Sequence, residues 1–120
     1  MENSELIKDF KKGNEKAFDL LVKNNQAWVQ SLIRSIVSNE FDSEDIAQDV
    51  FVNVYFSVKK FRFESSFKTW LYRIIINRIN NYYRKEKLRS IFNLGSENLE
   101  SIVDNIYVEK DQNNELYKYI

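Results

Sequence analysis

The 120-residue chain has no cysteine and no histidine. Those two absences remove disulfide staples, zinc fingers, thiolate and imidazole nucleophiles, and the commonest general base. Few enzymes are built from what remains, and neither a metal nor a cofactor is expected. Proline is missing as well, and glycine occurs only twice. With helix breakers this scarce and Lys, Glu, Leu, Ile and Asn abundant, the fold class is expected to be all-α: about four helices in a compact bundle, joined by short polar turns. No window approaches the roughly 18 apolar residues that a membrane span needs, and the opening MENSELIKDFKKG lacks the apolar stretch of a signal peptide. A soluble, cytoplasmic protein with no membrane partner is the expectation. The length suffices for one domain with a real core.

What the chain does have is polarised charge. The total is zero, 18 cations against 18 acids, yet Lys59 to Arg89 holds ten Lys/Arg and two acids, a net of +8. The residues on either side of that segment carry −4 each. Within it, FRFESSFKTWLYRIIINRINNYYRKEKLR threads the cations with aromatic rings.

Hydrophobic spacing places the helices. Leu6, Ile7 and Phe10, after Ser4 as a candidate N-cap, suggest a short first helix stopped by Gly13-Asn14. A longer one is expected from about Glu15 to Val37, with Phe18, Leu21, Val22, Trp28, Val29, Leu32, Ile33, Ile36 and Val37 as its apolar stripe. SNEFDSED is the next break, with Asp42 or Ser43 as cap. The third helix, roughly Ser43 to Lys60, has a clean i+4 series of Ile46, Val50, Val54 and Val58, flanked by Ala47, Phe51 and Tyr55. Its opposite face is Asp45, Gln48, Asp49, Val52, Asn53 and Phe56. That face reads either as ordinary solvated surface, the commoner outcome for a surface helix, or as a docking surface for a basic partner.

RFESS breaks the helical pattern, and Ser65 or Ser66 can cap the helix after it. From Phe67, a wide buried stripe of Phe67, Trp70, Leu71, Ile74, Ile75 and Ile79 is expected. Thr69, Tyr72, Arg73, Ile76, Asn77, Asn80 and Arg84 recur on the other side. Beyond Arg89 the sequence turns acidic and rich in Asn and Ser, as a linker would. Cations bind phosphates, rings stack on unpaired bases at about 1–3 kcal/mol each, and amides bond base edges. Rings among cations beside a serine-rich loop therefore favour single-stranded or opened nucleic acid. For Phe67, Trp70 and the isoleucines a plain core role competes with this; Phe63, Tyr72, Tyr82, Tyr83 and the cations carry the nucleic-acid reading. A membrane-surface helix fits less well, because the bundle needs the apolar side. A helix-turn-helix reader would show a tight glycine-containing turn, and FRFESSF is not one.

DSEDIAQDVFVNVY followed by FRFESSFKTWLYRIIINRINNYYR resembles region 2 of the extracytoplasmic-function sigma factors, small bacterial initiation factors of the sigma-70 class, and ELIKDFKKGNEKAFDLLV resembles their usual opening. The resemblance runs from about Leu6 to Arg89. It implies that Asp45, Gln48, Asp49, Val52, Asn53 and Phe56 dock on the β′ coiled coil of core RNA polymerase. It implies that the loop of Arg62, Phe63, Glu64, Ser65 and Ser66 captures a base flipped from the non-template strand of the minus-ten element. Phe67, Lys68, Thr69, Trp70, Tyr72, Arg73, Ile76 and Asn77 would open and line that strand, with Asn80, Arg84 and Lys85 on the upstream duplex. An anti-sigma factor is left open as a further partner. Many relatives place Gly where Phe63 stands, and Asp49 replaces a commoner Glu. Residues 1–90 are thus expected to form region 2, and 91–120 an acidic linker with NNELYKYI opening a C-terminal region 4 domain, of which the sequence holds no more; a shortened form of such a factor is expected. The reading from a different class is a helical adaptor whose basic patch serves protein partners only.

Overall fold

Where helix breakers are scarce, turns must be written into the sequence, and three breaks, at residues 12–14, 37–39 and 58–66, separate the four helices of the computed structural model, which describes residues 2–94. The elements are α1 (Asn3–Lys11), α2 (Glu15–Ile36), α3 (Glu40–Ser57), a 3-10 turn (Val58–Lys60) and α4 (Phe67–Leu94). There is no strand among the described residues, so the all-α expectation holds. Two compact units share the chain, Met1–Arg78 and Ile79–Ile120, with the boundary inside α4.

The α1 helix ends on Gly13, whose φ of +103° is left-handed. Gly13 N–H donates to the Phe10 carbonyl at 2.9 Å and Asn14 N–H to that of Asp9 at 3.1 Å. These paired bonds satisfy the last carbonyls of the helix, and the left-handed residue they need is the reason glycine sits there. At the other end the N-cap is Glu2, without a side-chain bond. The expected cap, Ser4, lies inside the first turn instead.

Along α2 the buried positions are Ala17, Leu21, Asn25, Val29 and Ile33, an unbroken i+4 series containing one amide. Asn25 is 1% exposed, so its polar atoms must find protein partners. Its Nδ2 donates to the Leu21 carbonyl at 2.8 Å and to Asn3 Oδ1 at 3.0 Å, which pins the start of α1 to α2. Ile36, expected in the stripe, is exposed because the helix ends there, while Val37 leaves in extended conformation and is buried.

The α3 helix starts three residues earlier than expected. Asn39 is its cap, accepting from the Asp42 N–H at 3.1 Å, and Glu40 and Asp42 sit in the first turn, where their charge suits the helix dipole. Ser43, an expected cap, is buried and donates to the Glu40 carbonyl at 2.9 Å. Ile46, Ala47, Val50, Val54 and Val58 are all buried, as their spacing predicts. Rings of Phe10, Phe18 and Tyr55 meet at centroid distances of 5.1–5.5 Å and join α1, α2 and α3. The Tyr55 hydroxyl donates to Glu15 at 3.2 Å; the Glu15 charge first, and the bond second, hold that phenol protonated above its ordinary range.

Ser66 caps α4. Its Oγ accepts from the Thr69 N–H at 3.1 Å and donates to Thr69 Oγ1 at 2.9 Å. Phe67, Leu71 and Ile75 are buried in the first unit; Trp70 and Ile74 are half-buried. The helix continues through Ser90 to Leu94, four residues into the stretch expected to be linker. The rest of that stretch, including NNELYKYI, lies outside the described residues.

Candidate nucleic-acid interface

The loop between the 3-10 turn and α4 is anchored by Phe61, 5% exposed, whose ring lies 5.3 Å from Trp70 and 6.2 Å from Phe67. Around that anchor the side chains divide between two cavities. Arg62, Glu64, Ser65, Trp70 and Arg73, together with Lys60 and Phe61, line one of about 360 Å³. Three cations against one acid give it a net +2, with an indole on its wall. Arg73 Nε is buried and has no hydrogen-bond partner among the described residues, an arrangement that costs about 1–3 kcal/mol and that a rearrangement around a bound anion would relieve. The second cavity, about 600 Å³, is lined by Phe63, Ser65, Ser66, Phe67 and Lys68 with Phe61, by Glu2, Asn3 and Ser4 at the start of α1, and by Asn24 and Asn25.

Phe63 has φ +59°. A side chain in the left-handed region costs about 1–2 kcal/mol relative to glycine. Its ring is 40% exposed, as a strand-facing aromatic should be, but it is not free. It lies 4.8 Å from Phe61 and under two ammonium groups, Lys11 at 4.9 Å and Lys8 at 5.7 Å. Lys68 is exposed, with its ammonium 5.3 Å from the Trp28 ring.

Of the remaining expected strand residues, Thr69 is tied to the Ser66 cap, Tyr72 and Ile76 are half-buried, and Asn77 is exposed; none of them lines either cavity. Asn80, Arg84 and Lys85 belong to the second unit. There Arg84 donates to the Asn81 side chain, Lys85 is exposed, and the Tyr82 and Tyr83 rings meet edge to face at 5.2 Å. Sequence reasoning missed Lys60 and Phe61 on the cavity wall, and Lys8 and Lys11 over the loop. The i, i+3 spacing of Lys8 and Lys11 was visible; that α1 reaches the loop was not.

The opposite charge gathers on α3. Asp45, Gln48, Asp49, Val52, Asn53 and Phe56 are all exposed, Val52 at 55% and Phe56 at 73%. Asp49 forms an ion pair with Arg78 of α4, and Asn53 accepts from Ser57 Oγ at 2.8 Å. Beside this face runs a groove of about 640 Å³ whose lining includes Phe18, Val22, Glu44, Phe51, Val52 and Phe56. Among the described residues no group of three acids is placed to hold a metal, and no helix is long and apolar enough to cross a membrane.

Comparison with known proteins converges on one family. Residues 21–89 match the family described as sigma-70 region 2. The chain is 43% identical over 77 residues to the ECF RNA polymerase sigma-E factor of Haemophilus influenzae, covering 64% of this chain and 40% of that protein. To the sigma-E factor of Escherichia coli it is 37% identical over 100 residues, 80% of this chain and 52% of that protein. It thus spans about half the length of the curated relatives it matches. Among solved structures, an engineered region 2 of sigmaE in complex with GTAAAA superposes with a TM-score of 0.68 at 35% identity, over 74% of this chain and 93% of that one. CnrH in complex with the cytosolic domain of CnrY superposes at 0.61 and 26% identity, over 89% and 73%. With the match running from α2 through the loop into α4, the chain belongs to the sigma-70 region 2 family, in its extracytoplasmic-function branch.

Proposed function

We propose that the chain is the part of a bacterial transcription initiation factor that docks on core RNA polymerase and opens and reads the promoter minus-ten element. The observation that carries this is the cavity where Lys60, Arg62 and Arg73 surround the Trp70 indole beside a serine-capped helix. An unpaired base finds there a ring to stack on, and its phosphates find cations. Pulling a base out of the duplex costs a few kcal/mol, and stacking at about 1–3 kcal/mol per base together with phosphate contacts offsets it. No covalent chemistry is needed, and the phosphodiester chemistry belongs to the polymerase. The neighbour solved with GTAAAA supports a strand ligand of this kind.

In this reading Arg62, Glu64 and Ser65 with Trp70 and Arg73 take the flipped base, and Tyr72, Ile76 and Asn77 line the strand beyond it. Asn80, Arg84 and Lys85 meet upstream phosphates. Asp45, Gln48, Asp49, Val52, Asn53 and Phe56 meet the polymerase β′ coiled coil. Residues 1–90 make up region 2, and 91–120 lead toward region 4. The work is done in the cytoplasm, where polymerase is; the complex of CnrH with CnrY supports a regulatory protein partner as well. A helical adaptor that meets only proteins would leave the cavity's cations without a ligand.

The test is fluorescence anisotropy of short single strands and of duplex, with core polymerase present, for the wild-type chain, Arg62→Ala and Asn77→Ala. Sequence-dependent strand binding that both substitutions remove supports the reading. Equal binding of every strand, indifferent to both, sinks it and leaves a basic patch. Without polymerase the chain should bind DNA weakly.

A further inference from the structure

Among the described residues, Phe63 is the one non-glycine position with positive φ. A bulky ring stays in that region only where its surroundings over-determine it, and here those surroundings come from α1. Lys11 and Lys8 place their ammonium groups 4.9 and 5.7 Å from the ring centroid, within range of a cation–π attraction. Lys11 Nζ also donates to the Phe61 carbonyl. The Phe63 ring continues to Phe61 at 4.8 Å, and Phe61 to Trp70 at 5.3 Å. A chain of contacts therefore runs from α1, through two loop rings, to the first turn of α4.

An aromatic in a strand-binding loop invites a stacking role, and the geometry opposes it for this one. Two cations already occupy the neighbourhood of the ring. Phe63 lines the cavity on the α1 side, whereas Arg62 and Glu64, its neighbours in sequence, line the other one with Trp70 and Arg73. We propose that Phe63 and Lys11, supported by Lys8, strap the loop to α1 and thereby fix which base the Arg62–Glu64–Trp70–Arg73 cavity accepts. Phe63 is then a positioning residue that touches no base. This rests on the strand-reading function above. Glycine at position 63 would adopt the same φ without strain but would leave Lys11 no ring to hold.

Two arms test the strap on the full chain, with melting temperature as a check that each variant is folded. In the first, without nucleic acid, trypsin cleavage after Arg62 is timed, since cleavage at a folded site tracks local opening. Lys11→Met should speed it several-fold at unchanged melting temperature, and Lys11→Arg, which keeps a cation and a donor, should restore the wild-type rate. In the second arm, with core polymerase, strands differing at a single base are compared. Lys11→Met and Phe63→Gly should each shrink the ratio between the best and worst base several-fold while leaving the worst base's affinity unchanged. Cleavage indifferent to Lys11→Met overturns the strap. Loss of affinity for every base alike in Phe63→Gly, with the base ratio intact in Lys11→Met, overturns the positioning role and makes Phe63 a stacking platform. A wild-type chain that prefers no base sinks the strand-reading function itself, and the cleavage arm then decides the strap alone.

Discussion

The acidic face of α3 and the basic cavity at the head of α4 belong to one compact unit, yet the chain builds them by different means. The α3 face is six exposed residues on a regular helix, placed by periodicity once Ile46, Val50 and Val54 are buried on the other side. The cavity is assembled from a 3-10 turn, an irregular loop and two turns of α4, and between its lining residues Arg62 and Glu64 the backbone takes a left-handed torsion at Phe63. A surface that is the back of a core-facing helix tolerates substitution one residue at a time. A surface made from a loop depends on whatever holds the loop.

The largest expected effect abolishes the contrast by removing what both surfaces share. Leu71 is fully buried one turn into α4, and Leu71→Ala should cost about 2–5 kcal/mol of stability. A denaturant titration checks it: a midpoint shift below about 0.5 kcal/mol equivalent would mean that the start of α4 is not part of the core. Next comes a change confined to α3. Phe56→Ser removes a ring that is 73% exposed, so stability should stay within about 0.5 kcal/mol, while affinity for core polymerase should fall about tenfold or more if that ring is a central contact. Pull-down of polymerase with unchanged efficiency would take the Phe56 ring out of the docking surface.

This contrast also accounts for what the sequence made legible. Helix faces follow from spacing, so the α3 core, its acidic face and the start of α4 at Phe67 could be read directly. Caps were harder: Asp42 or Ser43 was expected to cap α3, but the cap is Asn39, which accepts from the Asp42 N–H, and Ser43 is buried inside the helix's first turns. An amide in an apolar stripe, Asn25, looks like an interruption until its partner Asn3, from another helix, is known. The candidate site divides in the same way. Arg62, Glu64, Trp70 and Arg73 share a cavity that local sequence announced, because they are neighbours along the chain. The Phe63 torsion and the reach of Lys8 and Lys11 to the loop are long-range facts, and no local pattern encodes them.

A smaller effect separates the two surfaces by their response to salt. Each phosphate contact to a single strand contributes about 0.7 to the slope of log affinity against log salt. Arg62→Gln should therefore flatten the slope for strand binding by about 0.7, and Lys60→Gln should do the same. Measured across a salt series, a slope unchanged in both variants would remove these cations from the strand's path.

The smallest expected effect lies where α4 pairs with the α3 face. Arg78 of α4 pairs with Asp49 on the α3 face, with the acid side chain 54% exposed, so the pair should be worth no more than about 1 kcal/mol of stability. A double-mutant cycle of Arg78→Gln and Asp49→Asn measures it. If the α3 face docks on polymerase as proposed, the pair should matter more for docking than for folding, because a carboxylate engaged by Arg78 is partly neutralised before a basic partner arrives. Arg78→Gln should therefore raise affinity for polymerase a few-fold at low salt, and Asp49→Asn should lower it. Should Arg78→Gln lower affinity instead, the arginine is orienting the carboxylate toward its partner, and the acidic face is then held in place by the helix that bears the basic cavity.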